Sequence, residues 1–318
     1  MKARIDGGTM KIRARALVLI GCIAALPHLF GDSHQQKDAR FVIWGDGLAG
    51  YMDSRGVEVI EPQFGFTYEF SEGLAAYREN YRYGLIDIDG NRIAEPIFEY
   101  VEFFREGLCN VQLDGRFGAI DKSGEFVFQI DGSYLGGFQE GLARFSVDGK
   151  YGYVDRNGVV AIDPRFEDAG SFSEGLALVK VRGKYGFIDK GGKIVIEPEY
   201  YYALWFSEGL APVATALNDK FGFIDMSGSM VIEPRFQFAE PFASGLARVV
   251  TDGGDGFVGA DGTLVIEPQF NEAQSFSEDL AVVRFSDDEA GVIDTSGDVV
   301  IRLEGKDIVI DPFKNGLA

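Results

Sequence analysis

The 318-residue chain is 46% hydrophobic and 13% aromatic, far too apolar for a disordered polymer. Its 42 glycines follow no triplet rule, which excludes collagen and points to many tight turns. Fifty acidic side chains against thirty basic ones give a formal net charge of −20, which repels nucleic acid and suits cationic partners.

The chain opens on a basic lead, Lys2, Arg4, Lys11, Arg13 and Arg15, followed by an apolar run from Ala16 to Leu26 that ends at Pro27. A run of 11 residues is too short to cross a bilayer but suits the core of a secretory signal. Residues 1–31 therefore read as a signal peptide, with translation starting at Met1 or Met10, and residues 32–38 as a short linker. Leu19, Ile20, Gly21 and Cys22 also resemble a lipobox, which makes Cys22 a candidate lipidation site and the segment a candidate lipoprotein signal. On the plainer reading Cys22 is one more apolar residue of the signal core. No later apolar stretch approaches 18 residues, so the mature chain is expected to be exported without a membrane span.

Self-comparison of residues 39–318 settles the organisation. Phe70-Ser71-Glu72-Gly73-Leu74-Ala75 recurs with phenylalanine at 104, 138, 172, 206, 242, 276 and 313, spaced mostly by 34 residues. An aromatic-Gly-x-Ile-Asp-x-x-Gly string recurs at Tyr83, Phe117, Tyr151, Tyr185 and Phe221, with weaker copies around Gly50, Gly256 and Gly291. Ile-Glu-Pro-x-aromatic, or a near variant of it, surrounds Pro62, Pro96, Pro164, Pro198, Pro234 and Pro268. The units run near 39–70, 71–104, 105–138, 139–172, 173–206, 207–242, 243–276 and 277–313, with a partial ninth at 313–318.

Each unit reads as three short antiparallel strands. Ala177, Val179 and Val181 alternate with Leu178 and Lys180, the period of a strand. Tyr185 to Ile188 forms the next strand, and Asp189-Lys190-Gly191-Gly192 a tight reversal, the Asp accepting backbone N–H groups and glycine tolerating positive φ. Lys193 to Ile196 is the third strand, expected to stop at Pro198. A ten-residue connector leads to the next Phe-Ser-Glu-Gly. The fold class is all-β.

These strings resemble the bacterial WG-repeat family over about residues 39–318. The tryptophan that names the family is replaced by Tyr83, Phe117, Tyr151, Tyr185 and Phe221, and by Ala49, Asp255 and Ala290 in the degenerate units, where ring packing is expected to be lost. The resemblance implies repeat architecture and no common chemistry. One unit cannot bury its apolar face alone, so neighbours must stack, either as an open or spiral array or as a closed, propeller-like ring.

Catalytic signatures are scarce. His28 and His34 both precede the repeats, which removes histidine-based triads and zinc sites from the folded body. Cys109 takes the place of Ala75, Ala143 and Ala177, so it reads as a core thiol. Glu72, Glu106, Glu140, Glu174, Glu208 and Glu278 recur at one repeat position, as do Asp87, Asp121, Asp155, Asp189, Asp225 and Asp294. Recurrence assigns them to turns, whereas a glycosidase pair should be unique and asymmetric. No catalytic residue, cofactor or metal site is expected.

The connectors carry an aromatic column, Phe66, Tyr100, Tyr202 and Phe238, with Tyr134 in the equivalent place. One connector adds Tyr201 and Trp205. Such rows either pack between units or bind a sugar ring or an extended peptide. Three functions are carried forward: a non-enzymatic binding or scaffold protein of the cell envelope facing a protein partner; a glycan or cell-wall binder using the connector aromatics; and, least favoured, a carboxylate-only hydrolase. Joint exposure of Tyr201, Tyr202 and Trp205 would favour the glycan binder.

Overall fold

The computed structural model describes residues 39–305 except Asn218, together with the backbone of strands Lys2–Ile5 and Gly8–Lys11. No helix occurs among the described residues, and none is therefore long and apolar enough to cross a membrane. The strands form eight separate antiparallel sheets in chain order, and none of them closes on itself as a barrel. The first holds Arg40–Gly45, Leu48–Asp53 and Glu58–Phe64. The second adds a fourth strand: Phe66–Thr67, Leu74–Glu79, Arg82–Asp87 and Arg92–Phe98. The next five repeat this four-stranded plan, beginning at Tyr100, Tyr134, Asp168, Tyr202 and Phe238.

The short fourth strand lies within what the sequence presents as a connector. Only two residues long in most units, it shows no period of its own. It forms because the connector folds back on the following strand, Phe66 opposite Arg78 and Thr67 opposite Tyr77. The eighth sheet contains Glu272–Ala273, Leu280–Ser286, Glu289–Asp294 and Val299–Glu304, and its last strand also pairs with Lys2–Ile5, which pairs with Gly8–Lys11. The apolar run Ala16 to Leu26, Cys22 and the partial unit 313–318 lie outside the described residues.

The chain divides into two compact units, residues 32–183 with 187–194, and residues 1–31 and 184–186 with 195–318. Within each, the core lies between consecutive sheets. In the first, Tyr153 of the fourth sheet packs on Phe172, with ring centroids 4.9 Å apart, and shares a cluster with Ile162, Phe166, Ala177 and Ile188. In the second, Phe223 packs on Phe242 at 5.2 Å and Phe257 on Phe276 at 4.7 Å. Phe172, Phe242 and Phe276, the leading phenylalanines of their strings, are thus the knobs that close the preceding sheets. A unit excised from its neighbours would expose this core, which explains why the repeats occur as an array.

One expectation is corrected. Proline does not end the third strand, which continues through it, as in Val160–Phe166 and Met230–Phe236. Tyr153 faces Ile162 and Tyr151 faces Phe166, so four steps on one strand oppose two on the other, and Pro164 rides in the bulge. A bulged edge position needs no N–H in the ladder, which is why proline fits. Gly152 lies opposite: a Cβ there would sit 2.3 Å from Ile162 O and 2.6 Å from Pro164 N. The aromatic-Gly and Ile-Glu-Pro strings are therefore two halves of one bulge.

The recurrent carboxylates do structural work. Asp155 Oδ1 accepts the N–H groups of Asn157 and Val159 at 2.8 and 2.9 Å. The Val159 bond leads in holding its carboxyl below the usual aspartate value of 3.8. The glutamates sit in two-residue turns at positive φ, 51° at Glu72 followed by 87° at Gly73. Four of them reach the following repeat. Glu72, Glu106 and Glu140 accept the backbone N–H of Gly107, Gly141 and Gly175, and Glu208 that of Gly245, at 2.9–3.0 Å. Lys122 lies 3.1 Å from Glu72 and Lys190 3.1 Å from Glu140.

At Glu72, burial raises the carboxyl pKa but is outweighed by the Lys122 and Gly107 bonds, so the net shift is downward from 4.5. Groups with depressed folded values contribute stability that is present above the unfolded pKa and lost as pH falls through the folded one. Denaturant midpoints are therefore expected to be flat from neutrality to about pH 5 and to fall below about pH 4. A loss confined to pH 5–7 would remove these carboxylates as the cause.

Candidate functional site

The column aromatics are set by the fourth strands and lie at the margin of the core rather than in it. Tyr202 pairs with Ala214 across the ladder, and Tyr201 N–H donates to Ala214 O at 2.8 Å. Leu204 N–H donates to Pro212 O, and Ser207 and Leu210 exchange backbone bonds around the Glu208-Gly209 turn. Phe206 is 1% exposed, and Ser207 Oγ donates to Phe242 O at 2.7 Å. With Phe206 turned inward, its neighbour Trp205 is directed outward.

Tyr201, Tyr202 and Trp205 are 36%, 41% and 52% exposed. The Tyr201 and Tyr202 rings meet edge to face at 5.0 Å, and Tyr202 stacks on Phe221 at 6.1 Å with planes 26° apart. Phe238 leans on the same Phe221 at 5.3 Å. Lys184 Nζ lies 5.4 Å from the Tyr201 ring centroid and donates to Thr215 O at 3.1 Å.

The other column residues follow the same pattern. Tyr100 packs edge-on to Phe117 at 6.3 Å and Tyr134 to Tyr151 at 6.4 Å, each leaving one side in solvent. Burial pushes the Tyr100 hydroxyl upward, and neighbouring Glu102, which accepts its hydrogen bond at 3.0 Å, adds to the shift. Phe66 touches Trp44 and Tyr68 at 6.4 and 5.2 Å. The column rings thus pack in part, mainly on the aromatic before the repeat glycine, and stay partly in solvent, with a guanidinium over the rings of Phe66 and Tyr134.

Sequence reasoning missed Trp44, Tyr68, Tyr81 and Phe103. It also treated Trp205 as without counterpart, whereas Phe103 occupies the same repeat position three 34-residue lengths earlier, immediately before a buried phenylalanine. That alignment was available in the sequence. The exposure of Trp44 and Tyr81 was not.

Cys109 is fully buried, and burial pushes its thiol up to about 12. Its Sγ–H donates to Glu102 O at 3.2 Å, as suits a core thiol. At Asp255, where an aromatic ring is missing, a charge network has taken its place. Asp255 is 4% exposed, bonds Arg248 Nε at 3.0 Å and accepts Ala273 N–H at 2.8 Å. Arg248 also binds Glu240, which accepts a hydrogen bond from Ser275 Oγ. These two non-consensus carboxylates are bridged by the one guanidinium of Arg248. Among the described residues, no group of three or more side chains is placed to hold a metal ion.

The repeat geometry is matched in sequence by the model of the WG containing repeat, found seven times, at residues 50–83, 83–117, 117–151, 151–185, 185–215, 221–254 and 256–287. The chain belongs to the WG repeat family. Each matched WG unit begins at or beside the glycine or aromatic residue of the bulge and so spans two consecutive sheets. No curated protein matches the sequence. Among solved structures, the WG array resembles the crystal structure of a eukaryotic initiation factor at 10% identity and TM-score 0.58, covering 85% of this chain and 86% of that one. BamB from Moraxella catarrhalis matches at 9% identity and TM-score 0.44, over 85% and 86% of the two chains. Hsv2p of Kluyveromyces lactis matches at 9% identity and TM-score 0.45, over 76% and 97%. Likeness at such identities concerns the fold alone.

Proposed function

We propose that this chain is an exported, non-enzymatic binding protein of the cell envelope that holds a glycan on the aromatic rings of its connectors. The observation that carries the reading is the joint exposure of Tyr201, Tyr202 and Trp205 on a hairpin held by backbone bonds at Tyr201, Leu204, Ser207 and Leu210. Rings fixed in this way lose little freedom on binding, and their faces suit the C–H faces of a sugar ring. Charge adds a second argument. An acidic chain should attract a cationic protein partner, but the Tyr201 ring already carries Lys184, which has no carboxylate partner within ion-pair distance among the described residues. An ammonium that donates to Thr215 O and has no such carboxylate partner suits a ligand that offers hydroxyl or carboxyl oxygens.

The basic lead and short apolar run support export, and the recurrence of the carboxylates as turn and latch groups supports a non-catalytic role. Retention of envelope fractions by the immobilised full-length chain tests the reading. Protein-free wall or polysaccharide should be retained, and Trp205→Ala should weaken it about tenfold, the effect of about 1.4 kcal/mol. Near-stoichiometric retention of one protein, unchanged in that variant, would replace this proposal with the scaffold for a protein partner.

A further inference from the structure

Resting on the glycan reading, we infer that the chain carries a second aromatic subsite, on residues 32–183, and so binds its glycan twice. Trp44, Phe66, Tyr68 and Phe103 form a connected strip drawn from three consecutive sheets. Trp44 meets Phe66 at 6.4 Å, Phe66 meets Tyr68 at 5.2 Å, and Tyr68 meets Phe103 at 5.5 Å. Tyr68 is backed by Tyr83, stacked at 5.9 Å with planes 24° apart. The two ends of the strip are open, Trp44 at 58% and Phe103 at 42% exposure.

The strip shares two repeat positions with the Tyr201–Trp205 hairpin. Phe103 stands where Trp205 stands in its own unit, and Phe66 where Tyr202 stands. A cation again lies on a ring: Arg78 Cζ is 5.6 Å from the Phe66 centroid. As with Lys184, no carboxylate lies within ion-pair distance of Arg78 among the described residues, although the chain has 50 carboxylates for 30 Lys and Arg. Free guanidinium N–H groups beside exposed ring faces suit sugar hydroxyl or carboxyl oxygens, while a cationic partner would be repelled from the ring that Arg78 already covers. The intervening units lack the pattern, with Gly137 and Ser171 at the Trp205 position. Aromatic residues at the Trp205 position therefore occur once in each compact unit, as Phe103 and Trp205.

Two sets on one chain imply two ligands per chain for a short oligosaccharide. The test uses full-length protein and soluble short neutral-hexose, N-acetylhexosamine and uronate oligosaccharides. Calorimetry with whichever oligosaccharide binds should give two sites per protein, falling to one in Trp44→Ala/Phe103→Ala and to one in Tyr202→Ala/Trp205→Ala. All these side chains are surface-exposed, and an unchanged circular dichroism melt would show that the variants are folded. A single site in the wild type, or Trp44→Ala/Phe103→Ala leaving the stoichiometry at two, overturns the second subsite. In that case loss of binding in Tyr202→Ala/Trp205→Ala would still uphold the glycan reading. No binding to any oligosaccharide overturns both.

Discussion

Gly152→Ala is expected to destabilise the fold by about 3 kcal/mol or more, at the upper end of overpacking effects. The new Cβ would lie 2.3 Å from Ile162 O and 2.6 Å from Pro164 N, and both are backbone atoms that no rotamer change can move aside. Relief requires the bulge carrying Pro164 to lift off, which would break the pairing of Tyr151 with Phe166 and pull Phe166 from its cluster. Gly141→Ala is the control. Gly141 has φ of 84° but nothing within 4 Å of its Cβ position, so it should cost only about 1 kcal/mol of backbone strain. Urea unfolding followed by tryptophan and tyrosine fluorescence ranks the two. Equal losses would show that the close approach of the bulge at Gly152 costs no more than the backbone strain at Gly141.

The second large effect is expected at Asp255. Asp255→Ala should cost about 3 kcal/mol, because it leaves Ala273 N–H without its acceptor and Arg248 without its buried partner. Asp255→Asn keeps an acceptor for Ala273 and should cost less. The double variant Asp255→Tyr/Arg248→Leu copies the fifth sheet, which has Tyr185 and Leu178 at these places. It should return to within about 1 kcal/mol of the parent, since buried ion pairs can be exchanged for apolar packing at little net cost. If Asp255→Ala melts with the parent, the network contributes nothing and the site is merely tolerant.

Much of this was legible in the sequence because a repeat states each rule eight times. The Asp-x-x-Gly reversals, the alternation at Ala177 and Val179 and the core role of Cys109 all rest on local chemistry, which a sequence displays. The passage of the strand through Pro164 was not legible, because proline excludes a ladder bond only where one is needed, and that depends on the partner strand. The two-residue strand at Phe66–Thr67 was hidden for a similar reason: its pairing with Leu74–Glu79 is a property of the fold, and two residues have no period. Asp255 was read as a lost ring, while its replacement network draws on Glu240 and Arg248, 15 and 7 residues away. The column aromatics were found, but how much of each ring stays in water depends on neighbours that only the folded chain assembles.

The latches of Glu72, Glu106, Glu140 and Glu208 to the glycine of the next repeat point one way along the chain and refer to nothing beyond that neighbour. Removing residues 139–172, one whole period, would set Glu106 before Gly175 and Phe138 before Ser173, the same residue types that now meet Gly141 and Gln139, apart from serine for glutamine. Loss or duplication of one complete period therefore recreates the contacts it severs. A change of length inside a period is tolerated where the latch is kept, as in the 36-residue unit 207–242, whose Glu208 still holds Gly245. The number of units is thus free to drift during evolution as long as the latch positions stay aligned.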